Sequence, residues 1–180
     1  MPPEILDLAE KYPLLFKTVN YLKTTSSIFK NTIGKQMKHN FNFELSERIC
    51  ENGLKMSNNN WDTYCSNLNN LVDMSIEFLK LQKNLEKTGR YLHSTFEEVE
   101  KNEYNTNNKD LDGPDYLWGL YFSEMFWKIH HNFLNFFLND FMSNVPPTGK
   151  VLEVPCGTGF FLCEFLRKNS NWLGIGVDLA

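Results

Sequence analysis

The chain has 180 residues, a formal charge of −4, and 42% hydrophobic residues, with 15 phenylalanines among them. That length fits one domain, or one domain and part of another. The acidic balance argues against a nucleic-acid surface, and no run of 18 apolar residues suits a bilayer span.

The amino-terminal stretch MPPEILDLAEKY carries charge within a few residues and lacks the apolar core of a signal peptide. Ile5, Leu8 and Ala9, then Leu15, Phe16, Val19 and Leu22, recur at helical spacing. Pro13 should break or kink that helix, because proline lacks the amide donor and clashes with the preceding turn. FELSERICENGLKM is the next helical segment. Trp61 to about Lys87 is the clearest one, with a stripe through Tyr64/Cys65, Leu68, Leu71/Val72, Phe78/Leu79 and Leu85. The asparagines at 58–60 offer N-caps, and Gly89 offers a C-terminal stop. Cys50, Cys65, Cys156 and Cys163 form no CxxC pair and no metal spacing. Reduced thiols in a cytoplasmic protein without a metal site are the expectation.

A shorter helix is expected over RYLHSTFEEVEK, followed by an exposed loop, NEYNTNNKDLDGP. Its asparagines, like those at 58–60, fit loops and caps or a polar recognition surface. From Tyr116 to about Met142 the pattern predicts one helix, apolar nearly all round. Glu124, Lys128, His130 and His131 interrupt it too often for a membrane span. Such a helix lies between two layers or faces a ligand.

At SNVPPTGK the composition changes. KVLEV reads as a strand, GFFLCEFLRKN as a helix and WLGIGVD as a second strand, which together make one βαβ unit with parallel strands. The expected fold is mainly α: a helical domain over 1–144, then, over 145–180, the start of a Rossmann-like α/β sheet.

Gly157 and Gly159 allow a ligand to approach the backbone after the first strand, and the helix behind them offers free amides. Asp178, 21 residues beyond Gly157, stands at the tip of the second strand, where a carboxylate can accept from both hydroxyls of a ribose. A dinucleotide fingerprint would want a third glycine where Leu162 stands, and a P-loop would want a lysine and a hydroxyl residue after Gly159. An acid on the strand itself, Glu153, remains.

VLEVPCGTGFF together with GIGVDLA resembles motif I and the acidic strand tip of class I S-adenosylmethionine-dependent methyltransferases. The likeness rests on Leu152, Glu153, Val154, Cys156, Gly157, Thr158 and Gly159, and departs at Pro155, where a glycine is usual. Proline is admissible there if φ is negative and its amide is not needed, and it would stiffen the loop. The resemblance implies a cofactor site formed by Glu153, Pro155, Cys156, Gly157, Thr158, Gly159, Asp178 and Leu179. Gly157 and Gly159 would lie against the methionine part of S-adenosylmethionine. Glu153 would organise the loop or reach the amino group, Asp178 would hold the ribose, and Leu179 could pack on the adenine.

The likeness covers residues 151–180 alone. Two strands are fewer than the roughly seven that the resemblance implies, and they leave both sheet edges unpaired. The expectation is the amino-terminal, truncated portion of a methyltransferase acting on a small molecule, with no nucleic-acid or membrane partner. Taken alone it would be catalytically incomplete, so that a missing carboxy-terminal half or a homo-oligomer would have to complete it. No catalytic base is identified; His130 and His131 are as well explained by packing. The helical region would act as a cap, with Tyr116, Trp118, Tyr121 and Phe122 as contact candidates. Two alternatives stay open: a helical interaction or dimerisation module with a non-functional stub, and an NAD-dependent oxidoreductase fragment.

Overall fold

A computed structural model describes residues 3–37, 41–104 and 114–178. It is mainly helical, with one two-stranded parallel sheet near the carboxy-terminal end. Two compact units divide the chain, Met1–Met125 and Phe126–Ala180.

The first unit begins with α1 (Pro3–Lys11) and α2 (Pro13–Thr25), and the break falls at Tyr12, directly before Pro13. Proline suits the first position of α2, where its missing amide costs nothing. Tyr12, at the N-cap, makes no capping bond through its side chain. The cap comes instead from a distant residue: Glu47 accepts from Leu14 N at 3.0 Å and from Leu15 N at 2.6 Å. Ser26 caps α3 (Ser27–Gln36), Asn42 caps α4 (Phe43–Met56), and Asn60 caps the 28-residue α5 (Trp61–Thr88). Gly89, left-handed at φ 65°, ends α5 as expected.

The helices of this unit bury Leu15, Val19, Leu22, Phe29, Ile33, Leu45, Ile49, Leu68 and Leu71 in one core. α7 (Pro114–Phe126) adds Phe122 and Met125 to it. Two glycines set how closely it approaches. A Cβ on Gly53 would meet the Phe122 ring at 2.9 Å, and one on Gly119 would meet Asn70 O at 3.0 Å. Thr18 Oγ1 and Tyr64 OH, both fully buried, satisfy each other at 2.9 Å.

Three expectations are corrected here. The stripe on α5 is buried at Tyr64, Cys65, Leu68 and Leu71, but Phe78 and Leu79 are exposed. α5 runs for about 42 Å, whereas α2, α3 and α4 have 13, 10 and 14 residues and cannot cover all of it. The helix expected over 90–101 starts only at Phe96, as α6 (Phe96–Val99), where Thr95 supplies its cap; a wider π-type turn, Glu100–Tyr104, follows. The single helix expected over 116–142 is interrupted at Trp127, whose backbone is extended at φ −80°, ψ 118°.

The second unit opens with α8 (Lys128–Phe136), a π-type turn at Phe137–Phe141 and a 3-10 turn at Met142–Asn144. Strand β1 (Gly149–Glu153), helix α9 (Phe160–Lys168) and strand β2 (Trp172–Gly176) follow. The strands are parallel, with Gly149 opposite Trp172 and Glu153 opposite Gly176. Compactness therefore places the division at 126, ahead of the change in composition at 145–149. Phe137 gives the physical reason: its ring packs edge-on to Phe161 at 5.4 Å and lies 6.2 Å from Phe165, so this helical stretch joins the βαβ unit.

α9 covers one face of the sheet closely. A Cβ on Gly174 would meet Leu166 at 2.7 Å and Leu162 at 2.9 Å. The alternating residues Leu152, Val154, Leu173, Ile175 and Val177 remain exposed, Leu152 at 63%. On α8, Ile129, Phe133 and Phe136 are also exposed, one face of a helix by their spacing. Among the described residues no helix is long and apolar enough to cross a membrane.

Candidate functional site

The site forms where the carboxyl ends of β1 and β2 lie side by side. Parallel pairing continues past both strands, through Val177 N to Glu153 O at 3.0 Å and Cys156 N to Val177 O at 3.0 Å. These bonds bring Asp178 beside the loop that leaves β1. The Asp178 carboxylate accepts from Gly157 N through Oδ2 at 2.6 Å, 21 residues away in sequence. Asp178 is exposed at this tip.

The loop itself is a tight turn, closed by Gly159 N donating to Cys156 O at 2.7 Å. Gly157 and Gly159 both have positive φ, 48° and 67°, which L side chains rarely adopt. A Cβ on Gly159 would meet no atom within 4 Å, so the surface beside it is open. The Val154–Pro155 peptide bond is cis, and Pro155 is exposed. Thr158 is half-buried within the turn. Cys156 is half-buried beside the sheet, with its Sγ 3.1 Å from where a Cβ on Gly176 would sit. Leu179 lies outside the described residues.

Glu153 points from the end of β1 to the start of α9. Its Oε2 accepts from Leu162 N at 3.1 Å. Burial pushes its carboxyl above the usual carboxylate range, and the Leu162 amide opposes that shift. Burial likewise raises the Cys163 thiol, helped by the carboxylates of Glu153 and Glu164, so the neutral form is favoured. The structure thus brings Glu153, Cys156, Gly157, Thr158, Gly159 and Asp178 to one strand-end loop. Two participants were not legible as such: Leu162, which acts through its backbone amide, and Gly176, which makes room for Cys156.

Leu162 also bears on ligand class. In a dinucleotide fingerprint a glycine at this helix position lets helix and strand approach. Here the small residues are on the strand, at Gly174 and Gly176, and Leu162 fills the space against them.

Two surface hollows lie away from the loop. One, of about 280 Å³, is lined by Ile129, Asn132, Phe133 and Phe136. The other, of about 240 Å³, is bordered by Lys11, Tyr12, Glu44, Glu47, Arg48 and Glu51. The glycine loop is favoured over both because it brings together backbone amides, an exposed carboxylate and glycines that ligand approach requires. His130 is half-buried with its ring 5.2 Å from Trp127, and burial and then the neighbouring His131 lower its pKa. Of the candidate cap contacts, Phe122 is fully buried; Trp118 stacks on it, and Tyr121 OH donates to Ile49 O at 3.4 Å. Phe122 is therefore a core residue. Among the described residues no three His, Cys, Asp or Glu side chains are grouped to hold a metal.

Comparison with known proteins finds no matching family model, no matching curated protein and no matching solved structure.

Proposed function

We propose that residues 149–178 form the cofactor-binding start of a Rossmann-like S-adenosylmethionine-dependent methyltransferase that acts on a small molecule. The observation that carries this reading is the junction of the two strand tips. Two positive-φ glycines with open space beside Gly159 stand against an exposed carboxylate that Gly157 N orients. A ribose offers two hydroxyl donors, and a carboxylate at a strand tip is suited to accept both. The glycine backbone would take the methionine part of the cofactor, where side chains would obstruct it. When bound, the cofactor supplies a methyl group made electrophilic by its sulfonium centre.

For this chain's own residues the work is binding and orientation. Transfer of a methyl group depends on holding acceptor, carbon and leaving sulfur in line, so positioning supplies much of the acceleration. Glu153 keeps the loop registered on α9, and Asp178 fixes the ribose end. The residues named here bind and orient the cofactor, and none is assigned as a base. The acidic charge disfavours nucleic acid as acceptor.

Titration of the 180-residue chain with S-adenosylhomocysteine in a calorimeter, with NAD as control, tests this reading. Saturable binding that Asp178→Ala removes supports it. Equal binding of NAD, or binding indifferent to Asp178→Ala, contradicts it. A second reading, an interaction module, is favoured by the exposed apolar residues of the sheet and of α8. It predicts concentration-dependent association with no affinity for either ligand.

A further inference from the structure

We infer that the outer half of α5, residues 76–88, is an interface on which a second copy of this chain docks antiparallel, about a twofold axis at Lys80. Along α5 the positions Tyr64, Leu68, Leu71, Ser75, Phe78, Gln82 and Leu85 recur at alternating fours and threes, the spacing by which one helix seats on another. Tyr64, Leu68, Leu71 and Ser75 are buried in the unit's own core. The same seam then leaves that core: Ile76, Phe78, Leu79 and Leu81 are exposed. Glu77, Lys80, Lys83 and Lys87 lie off the seam by their helical positions, and Glu77 accepts from Lys80 Nζ at 3.0 Å within the helix. A seam that stays apolar beyond its own core is suited to a second surface.

The seam fits itself. With the axis at Lys80, Leu79 of one copy meets Leu79 of the other and Leu81 meets Leu81, while Phe78 and Gln82 pair in both directions. The contact is thus self-complementary, as a twofold requires. Gln82 Nε2 donates to Glu86 Oε1 at 2.9 Å, so its amide enters the seam already partnered. Neighbouring registers fail. Moved one heptad toward the helix end, Leu79 meets Glu86; moved the other way, each helix runs onto the half that the other copy's own core covers. With the axis at Lys80, the last residue of α5, Thr88, falls opposite Val72, next to buried Leu71, so the overlap stops where the covered half begins. Tyr91, Leu92 and Phe96, just past that end, are exposed as well and extend the apolar surface. Together with the four exposed side chains of α5 they leave roughly 700 Å² per copy in water, close to the ~800 Å² that each partner of a standard interface buries.

This inference is independent of the cofactor reading. Sedimentation equilibrium of the 180-residue chain should show monomer and dimer in exchange. Leu79→Lys sets two ammonium groups face to face at the axis and should raise the dimer dissociation constant by about tenfold or more. Cross-linking reads the register. With Cys163, an exposed cysteine, replaced by serine, a short bis-maleimide should join Leu79→Cys chains and Leu81→Cys chains into dimers. Lys80→Cys chains should stay apart, because position 80 lies on the far side of the helix from the seam. A chain that remains monomeric at every concentration overturns the inference and leaves the seam to a different protein. So does a dimer that Leu79→Lys leaves intact, or one in which Lys80→Cys cross-links as well as Leu79→Cys, since association then runs through another surface. If Leu79→Lys fails to fold, the cross-linking pattern alone decides.

Discussion

The helical unit and the βαβ unit solve the same burial problem to different degrees. In Met1–Met125 the core residues Leu15, Leu22, Ile33, Leu68, Leu71 and Phe122 are all shut off from water. Two of its polar contacts join residues far apart in the chain, Glu47 with the amides of α2 and Thr18 with Tyr64. In Phe126–Ala180 one face of the sheet is packed on α9, and the other keeps Leu152, Val154, Leu173, Ile175 and Val177 in water. The first unit is built around its own stability. The second spends its close packing on one junction, where two strand tips, a glycine turn and a helix start are held in register.

Substitutions should break that contrast in proportion to burial. Phe122→Ala removes a ring that packs on Tyr64 and Trp118. It should cost about 3–5 kcal/mol in denaturant unfolding, and a loss under about 1 kcal/mol would show that the core is looser than its burial implies.

Glu124 sharpens the contrast through pH. Burial raises its carboxyl pKa to about 7. A carboxyl whose folded pKa lies above its unfolded value favours the protonated fold. The stabilising contribution is complete below about pH 4.5 and is lost as pH rises through about 7, a change of up to about 3 kcal/mol. Glu124→Gln should flatten the melting temperature across that window, and an unaltered profile would remove Glu124 as its source.

Smaller effects follow from the caps. Glu47→Ala deprives two amides of α2 of their acceptor and should cost about 1–2 kcal/mol. Asn60→Ala should cost about 1 kcal/mol through loss of the cap on α5. Measured by the same unfolding curves, Glu47 should be the more costly of the two, because Asn60 supplies one bond to Thr63 N. At the bare sheet face, Leu173→Lys should change stability by less than about 0.5 kcal/mol. A larger destabilisation would mean that this face is covered in solution, which sedimentation of the same variant would register as a loss of association.

Much of this was legible in the sequence because it depends on local chemistry. Pro13, the asparagines at 58–60 and Gly89 mark helix ends by their own conformational preferences, and each end falls where those preferences put it. The strand–helix–strand order at 149–176 was likewise readable from hydrophobic period and glycine placement. What was not legible depends on distant neighbours. Periodicity cannot say that the far half of α5 outruns its partners, so Phe78 and Leu79 were expected in the core. A pattern apolar nearly all round hid the interruption at Trp127. At the site, residue types marked Glu153, Gly157 and Asp178, but not which backbone amides they hold. That division of roles depends on where α9 starts in space.

The glycine loop and Asp178 are proposed to form a site for S-adenosylmethionine. The most direct test is the amide NMR spectrum of the 180-residue chain, isotope-labelled and titrated with S-adenosylhomocysteine. Saturable shifts are expected at Gly157, Gly159 and Asp178, absent with NAD and absent in Asp178→Ala. Shifts confined to residues outside 153–178, or none at saturating ligand in a folded chain, would contradict it.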